Sequence, residues 1–143
     1  MFEKDLLNGK TIVVTGGGTG LGKSMSRRFG ELGANIVISG RRKEKLEDTA
    51  DEFSKLGIDV LTCPGDVRKL EDVELMTSQA LDKFGTIDCL LNNAAGNFIS
   101  PTEMLSPNAF KVVIDIVLMG TWNCTSTIGK EMIKNNKGNV LSI

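Results

Sequence analysis

Apolar and polar positions along the chain follow two alternating rhythms. Short runs rich in β-branched and aliphatic residues, at 11–14, 35–39, 58–62, 87–91 and 139–143, read as buried strands. Between them apolar residues recur every three or four positions, the helical period. Residues 21–32 put Leu21, Met25, Phe29 and Leu32 on one face. Residues 43–56 do the same with Leu46, Ala50, Phe53 and Leu56, and residues 70–84 with Leu70, Val73, Met76, Ala80 and Phe84. Gly33, Gly57 and Gly85 follow these helices, where a left-handed residue often closes the last turn. Ser106 and Pro107 fit the cap and first position of a longer helix reaching about Asn136, and Gly138 precedes the fifth strand.

Strand then helix, repeated, predicts an α/β fold. The expectation is a doubly wound parallel sheet of Rossmann-like form, with helices on both faces and right-handed crossovers, over residues 1–143 as one domain. Ligands of such sheets bind beyond the carboxyl ends of the strands. The residues just after each strand are therefore the candidates for chemistry.

The first strand runs into Thr15-Gly16-Gly17-Gly18-Thr19-Gly20-Leu21-Gly22. A strand, a glycine turn and a helix N-terminus in that order make an anion site, because N–H groups point outward and the helix dipole favours negative charge. Glycine suits a turn with positive φ and close approach of backbone to a pyrophosphate. A flexible loop without a ligand is the alternative, but the strand–turn–helix context favours a dinucleotide. Residues Thr15 to Leu21 are the candidate contacts.

Composition narrows the partners. The 143 residues carry a net charge of −1, with no basic excess for a nucleic acid or an anionic membrane surface. The longest apolar run, 112–119, is interrupted by Asp115 and is short for a bilayer. Met-Phe-Glu-Lys-Asp at the start offers no apolar signal region. Cys63, Cys89 and Cys124 are odd in number and far apart, as expected of a reducing cytoplasm, and each reads as a small buried side chain. With no His and no close Cys pair, no metal site is expected.

The second strand ends in Ser39-Gly40-Arg41-Arg42. An NAD site usually has an acid there for the ribose 2′-hydroxyl. Here guanidinium groups stand instead, whose forked, permanently charged donors suit a 2′-phosphate. Arg41 is accordingly expected to select NADP(H); the alternative is a solvated basic start to the next helix. After the third strand, Asp66-Val67-Arg68 offers a carboxylate that serves either a local turn or a ligand. After the fourth strand, Asn92-Asn93-Ala94-Ala95-Gly96 combines small residues that admit a ligand with amides that can bond the strand ends.

Thr15-Gly16, Gly20 and Gly22, spaced T-G-x-x-x-G-x-G, together with N-N-A-x-G at 92–96, resemble the short-chain dehydrogenase/reductase family over the whole chain. The resemblance implies that Asp66 and Val67 hold the adenine, and that Asn93, Ala94, Ala95 and Gly96 border the cofactor. A narrower resemblance, to the 2,4-dienoyl-CoA reductases, rests on A-A-G-N-F-I-S-P at 94–101, L-S-P-N-A at 105–109, D-I-V-L-M-G-T at 115–121 and the D-V-R at 66–68. It implies reduction of a dienoyl thioester to a trans-3-enoyl-CoA by NADPH. Asn97 would donate to the thioester carbonyl, where negative charge builds during hydride addition. Arg68, Phe98 and Ser106 would contact the acyl-CoA. Ordinary alternatives remain for these residues: turn for Asn97, core for Phe98, helix cap for Ser106. Val117 stands where most of the broader family has Asn, a departure the dienoyl reductases share.

The family's acid, a Tyr with a Lys four residues on, follows its fifth strand. No Tyr occurs in these 143 residues. The expectation is therefore the N-terminal part of such a reductase, nearly inactive alone, with strand five as an exposed apolar edge. Its full-length relatives are expected to be homo-oligomers, tetramers by the same resemblance. The competing expectations are another short-chain reductase of thioesters or ketones, and a non-catalytic NADP(H)-binding module.

Overall fold

The computed structural model describes residues 2–143. The β-branched run Thr-Ile-Val-Val-Thr becomes β1 (Thr11–Thr15), with all five residues buried. It is flanked by β2 (Asn35–Gly40) on one side and β4 (Cys89–Asn92) on the other, so that Val13 pairs with both Val37 and Leu90. Outside these lie β3 (Val60–Pro64) and β5 (Asn139–Ser142). All pairings are parallel, in the order β3-β2-β1-β4-β5. The chain order therefore reverses direction between β1 and β4, which is where such sheets open a crevice.

The sheet has a core on each face, as its alternation requires. Ile12, Val14, Ile36 and Ile38 point to one face. They meet Met25 and Phe29 of α1 (Gly20–Glu31) and Leu46 and Phe53 of α2 (Lys43–Lys55). Val13, Val37 and Leu90 point to the other. They meet Val73, Met76 and Ala80 of α3 (Leu70–Phe84) and Cys124, Ile128 and Met132 of α5 (Gly120–Lys134). The doubly wound sheet expected from the pattern is thus present. Cys63 and Cys124 are free thiols in this interior, and burial pushes them up to about 11 and about 12.

Three details differ from the sequence reading. The third strand starts at Val60 rather than residue 58, because Ile58 is spent on packing. Its N–H donates to the Phe53 carbonyl (3.0 Å), and its side chain fills the space that a Cβ on Gly30 would need. The fourth strand starts at Cys89 rather than residue 87; Ile87 is buried ahead of it. Leu21, Leu56 and Leu70 lie at helix ends and are exposed, so the apolar stripes are shorter than the period indicated.

The long helix is the largest departure. It runs as α4 (Pro107–Ile114), a π-turn (Asp115–Met119) and α5, ending at Lys134. Ser106 caps it as expected, its hydroxyl accepting from Ala109 N–H at 3.1 Å. At the edge, β5 leaves Val140 and Leu141 exposed.

Candidate functional site

The glycine turn between β1 and α1 is held from below by the segment after β4. Gly16 (φ +68°) turns the chain in the left-handed region. The Asn93 side chain donates through Nδ2 to the carbonyls of Thr15 (3.0 Å) and Gly16 (3.3 Å). Thr15 Oγ1 in turn accepts from the N–H groups of Asn93 (3.0 Å) and Ala94 (2.9 Å). Gly22 must lack a side chain, since a Cβ there would stand 2.4 Å from the Gly16 oxygen. Gly17 N–H donates to the Ser39 carbonyl at 3.2 Å and joins the turn to β2. At the first turn of α1, Thr19 makes no side-chain cap bond, so the leading N–H groups lack a capping oxygen from that residue.

A crevice of about 170 Å³ opens above this turn. Gly16, Gly18 and Thr19 line one part of it, and Arg41, Arg42 and Lys45 bring three cationic side chains to another. Arg42 also donates to Thr19 Oγ1 at 3.4 Å, across from the start of α2 to the glycine turn. Arg41 is exposed at the crevice. Lys45 was not singled out by the sequence, where it reads as one more residue of a charged helix start.

Asp66, Val67, Ala94 and Ala95 complete much of the lining, together with Ile116 of the π-turn. The Asp66 backbone N–H donates to Asp72 Oδ2 at 2.8 Å, which fixes the bend after β3. Its carboxylate takes Arg68 Nε at 3.0 Å, along with the terminal guanidinium nitrogen and the Arg68 N–H. That guanidinium holds the Asp66 carboxyl below its ordinary range, against the opposing effect of burial. Arg68 is thus engaged by Asp66 and is not itself part of the crevice lining. Val67 is buried, and its carbonyl accepts from Asn123 Nδ2 at 2.9 Å.

Asn97 and Phe98 lie outside the crevice lining, on the exposed segment that follows Gly96. Phe98 is 52% exposed and is no core residue. Ser106 lies farther along and serves as the cap already described. The structure therefore brings together Thr15 to Thr19, Arg41, Asp66, Val67, Asn93, Ala94 and Ala95, and of the four acyl-side candidates it leaves Asn97, Phe98 and Ser106 apart from them, while Arg68 is bonded to Asp66. Two further ties were beyond the reach of the sequence, namely Asn123 to Val67 and Asn92 Nδ2 to Thr125 Oγ1 at 3.0 Å.

Comparison with known proteins matches this architecture. A sequence profile described as short chain dehydrogenase matches residues 10–143. The chain belongs to the short chain dehydrogenase family. A peroxisomal 2,4-dienoyl-CoA reductase of Arabidopsis thaliana is 42% identical over 96% of this chain and 46% of its own length. A probable 2,4-dienoyl-CoA reductase of Caenorhabditis elegans, decr-1.2, is 48% identical over 91% of this chain and 43% of its own. The crystal structure of a short chain dehydrogenase from Bacillus anthracis str. 'Ames Ancestor' superposes with a TM-score of 0.90 at 46% identity, covering 95% of this chain and 55% of that one. The chain thus spans less than half the length of these two curated relatives.

Members of the short chain dehydrogenase family depend on NAD(P), and the crevice fits such a diphosphate-bridged dinucleotide. A Cβ at Gly18 would fill space beside Leu46, and one at Gly16 would press on Ala94, so the turn is a cradle of bare backbone. Uncapped N–H groups and nearby cations supply the charge that phosphates need. Among the described residues no cluster of His, Cys, Asp and Glu could hold a metal ion. The stretch Pro107–Lys134 is long and apolar enough by composition to cross a membrane, yet Cys124, Ile128 and Met132 pack it on the sheet.

Proposed function

We propose that these 143 residues form the NADP(H)-binding domain of a reductase of 2,4-dienoyl-CoA thioesters. The observation that carries the reading is the crevice where the uncapped start of α1 and the Arg41, Arg42 and Lys45 side chains meet. Backbone N–H groups from Gly16 to Leu21 would hold the diphosphate. Arg41 would take the 2′-phosphate, which favours NADP(H) over NAD(H). Asp66 and Val67 would border the adenine, and Asn93, Ala94, Ala95 and Gly96 the rest of the cofactor.

When bound, the cofactor supplies a hydride. The names of the relatives support a dienoyl-CoA as its acceptor. Asn97 would then donate its amide to the thioester oxygen, where charge accumulates. Arg68, Phe98 and Ser106 would contact the acyl-CoA, with Arg68 exchanging its Asp66 partner for a CoA phosphate. No Tyr is present among these residues to give a proton. The 143 residues by themselves are therefore expected to bind cofactor without turnover, and a non-catalytic NADP(H)-binding role is the second reading.

Other parts of the proposal have narrower support. Free, unpaired thiols suit a reducing compartment, which includes the cytoplasm, although one relative's name places that protein in the peroxisome. Exposed Phe110, Leu118 and Trp122 on the long helix favour a homo-oligomer. A net charge of −1 and a helix packed on the sheet favour neither nucleic acid nor membrane as a partner.

Titration with NADPH and NADH, followed by cofactor fluorescence, tests the reading. NADPH is expected to bind at least about tenfold more tightly, and Arg41→Ala to erase most of that difference. Equal affinities would overturn the NADP(H) assignment; absence of any binding would overturn the cofactor site itself. Oxidation of NADPH by a 2,4-dienoyl-CoA at rates typical of enzymes, about 1 per second or more, would overturn the expectation of no turnover.

A further inference from the structure

Asp66 lines the crevice, yet its carboxylate is fully occupied by Arg68, which does not. Oδ1 accepts from the Arg68 backbone N–H and from Arg68 Nε, each at 3.0 Å. Oδ2 accepts from Nε at 3.0 Å and from the terminal nitrogen Nη2. An ionised carboxylate is an acceptor only, with about four lone-pair directions on its two oxygens. A single residue therefore fills this one. The Asp66 backbone is fixed by its bond to Asp72, and its side chain is 13% exposed. The Arg68 side chain is 33% exposed and reaches solvent. Of the two partners, Arg68 is the one that can move.

With adenine beside Asp66, as proposed above, the base has one N–H donor to offer the carboxylate, its exocyclic amine. That amine and Arg68 require the same oxygens. We propose that Arg68 is an internal plug on Asp66, that the adenine amine displaces it from at least one oxygen, and that cofactor entry thereby releases the guanidinium. The inference rests on the dinucleotide reading and deepens it by assigning a regulation to the same site. The exchange is feasible because an ion pair with a solvent-exposed partner is weak. It leaves neither charge isolated. Arg68 is chief among the groups that hold the Asp66 carboxyl below its ordinary range, and the Arg41 charge adds to it. Arg68 is subject first to Asp66 and also to the Asp115 carboxylate. A guanidinium released only with cofactor in place makes its contact with an acyl-CoA phosphate follow cofactor entry.

Titration of the 143-residue protein with NADPH and with its hypoxanthine analogue tests this. The analogue carries a carbonyl oxygen where adenine has the amine, so nothing at that position donates to Asp66. Arg68→Gln removes the plug, and the ratio of NADPH affinity to analogue affinity is expected to rise by about two- to fivefold. The ratio cancels the positive charge that the variant also withdraws from the phosphates. Arg68→Lys keeps the charge without the fork and should give a smaller rise. Nuclear magnetic resonance of the unmodified protein adds a readout that depends on no variant's folding. The Arg68 Nε–H should exchange with water faster under saturating NADPH, and at its original rate under the analogue. An unchanged or lower ratio, or an Nε–H equally protected with and without NADPH, overturns the plug. Failure of the unmodified protein to bind either dinucleotide instead overturns the cofactor site.

Discussion

Asn93 and Thr15 are bonded to each other in both directions. The Asn93 amide donates to the Thr15 carbonyl at 3.0 Å, and the Thr15 hydroxyl accepts from the Asn93 N–H at 3.0 Å. The pair lies on the two central strands' carboxyl ends, at the point where the sheet order reverses. A glycine turn has little of its own to hold it in one shape. Here the shape is imposed by an amide from a segment 78 positions farther along the chain.

Removing that amide should therefore loosen the turn. Asn93→Ala leaves the Thr15 and Gly16 carbonyls without this donor, and the cost is expected to be about 1–3 kcal/mol. Thr15→Val keeps the shape of the side chain but deletes the acceptor of two N–H groups, with a loss of similar size. Because the two residues share bonds, the double variant should be less damaged than the sum of the singles, by about 0.5 kcal/mol or more. Urea unfolding of the four proteins measures this. Strict additivity would show that the bonds do not act as one unit.

Two glycines on helices make a matched pair of opposite sign. A Cβ on Gly22 would meet the Gly16 oxygen at 2.4 Å and Asn93 Nδ2 at 2.5 Å, so Gly22→Ala must displace backbone in the turn. A loss of about 2 kcal/mol or more is expected, together with loss of NADPH binding. Gly129 lies inside α5 with nothing within 4 Å of a built Cβ. Gly129→Ala should therefore stabilise by about 0.5–1 kcal/mol, through helix propensity and a less disordered unfolded chain. Thermal melts of both variants give the signs directly. A stabilised Gly22→Ala would mean that the helix can move away from the turn at little cost.

The sheet and three of its helices were legible because their signals are local. Alternation of Ile12, Val13 and Val14 marks a strand with two buried faces, and the spacing of Val73, Met76 and Ala80 marks a helix with one. The glycine turn was legible for the same reason. The π-turn was not, because residues 112–119 are apolar on nearly every side and a change of helical phase leaves no gap in the pattern. Lys45 is not legible as a crevice residue, because a charge on a helix start looks solvated until the fold shows what it faces. The bonds from Asn123 to Val67 and from Asn92 to Thr125 join segments far apart in sequence, and no period can announce them. The long helix also hides an apolar face, with Phe110 and Trp122 exposed, behind a composition that suits a core equally well.

The opposite end of the sheet gives a prediction about acid stability. The Asp88 side chain is only 9% exposed and holds three partners at the amino ends of the strands. Thr11 N–H donates to it at 3.0 Å, Lys137 stands at 2.9 Å and Lys10 at 3.7 Å. Burial alone would raise the pKa of this carboxyl. The Lys137 ammonium, the Thr11 N–H and the Lys10 charge outweigh it and hold the group below its ordinary value. A carboxyl depressed in the folded state stabilises the protein above its unfolded pKa of about 4, and that contribution disappears as pH falls through the folded value. Urea unfolding should therefore show stability falling as pH drops below about 4. Asp88→Asn keeps an acceptor for Thr11 but carries no charge, so its acid limb should be flatter. Asp88→Ala leaves the buried Thr11 N–H without a partner and should cost about 1–3 kcal/mol at neutral pH. An Asn variant with the same acid limb as the original would assign that limb to other carboxylates. Asp66, depressed by Arg68 at the crevice, would be the next group to change.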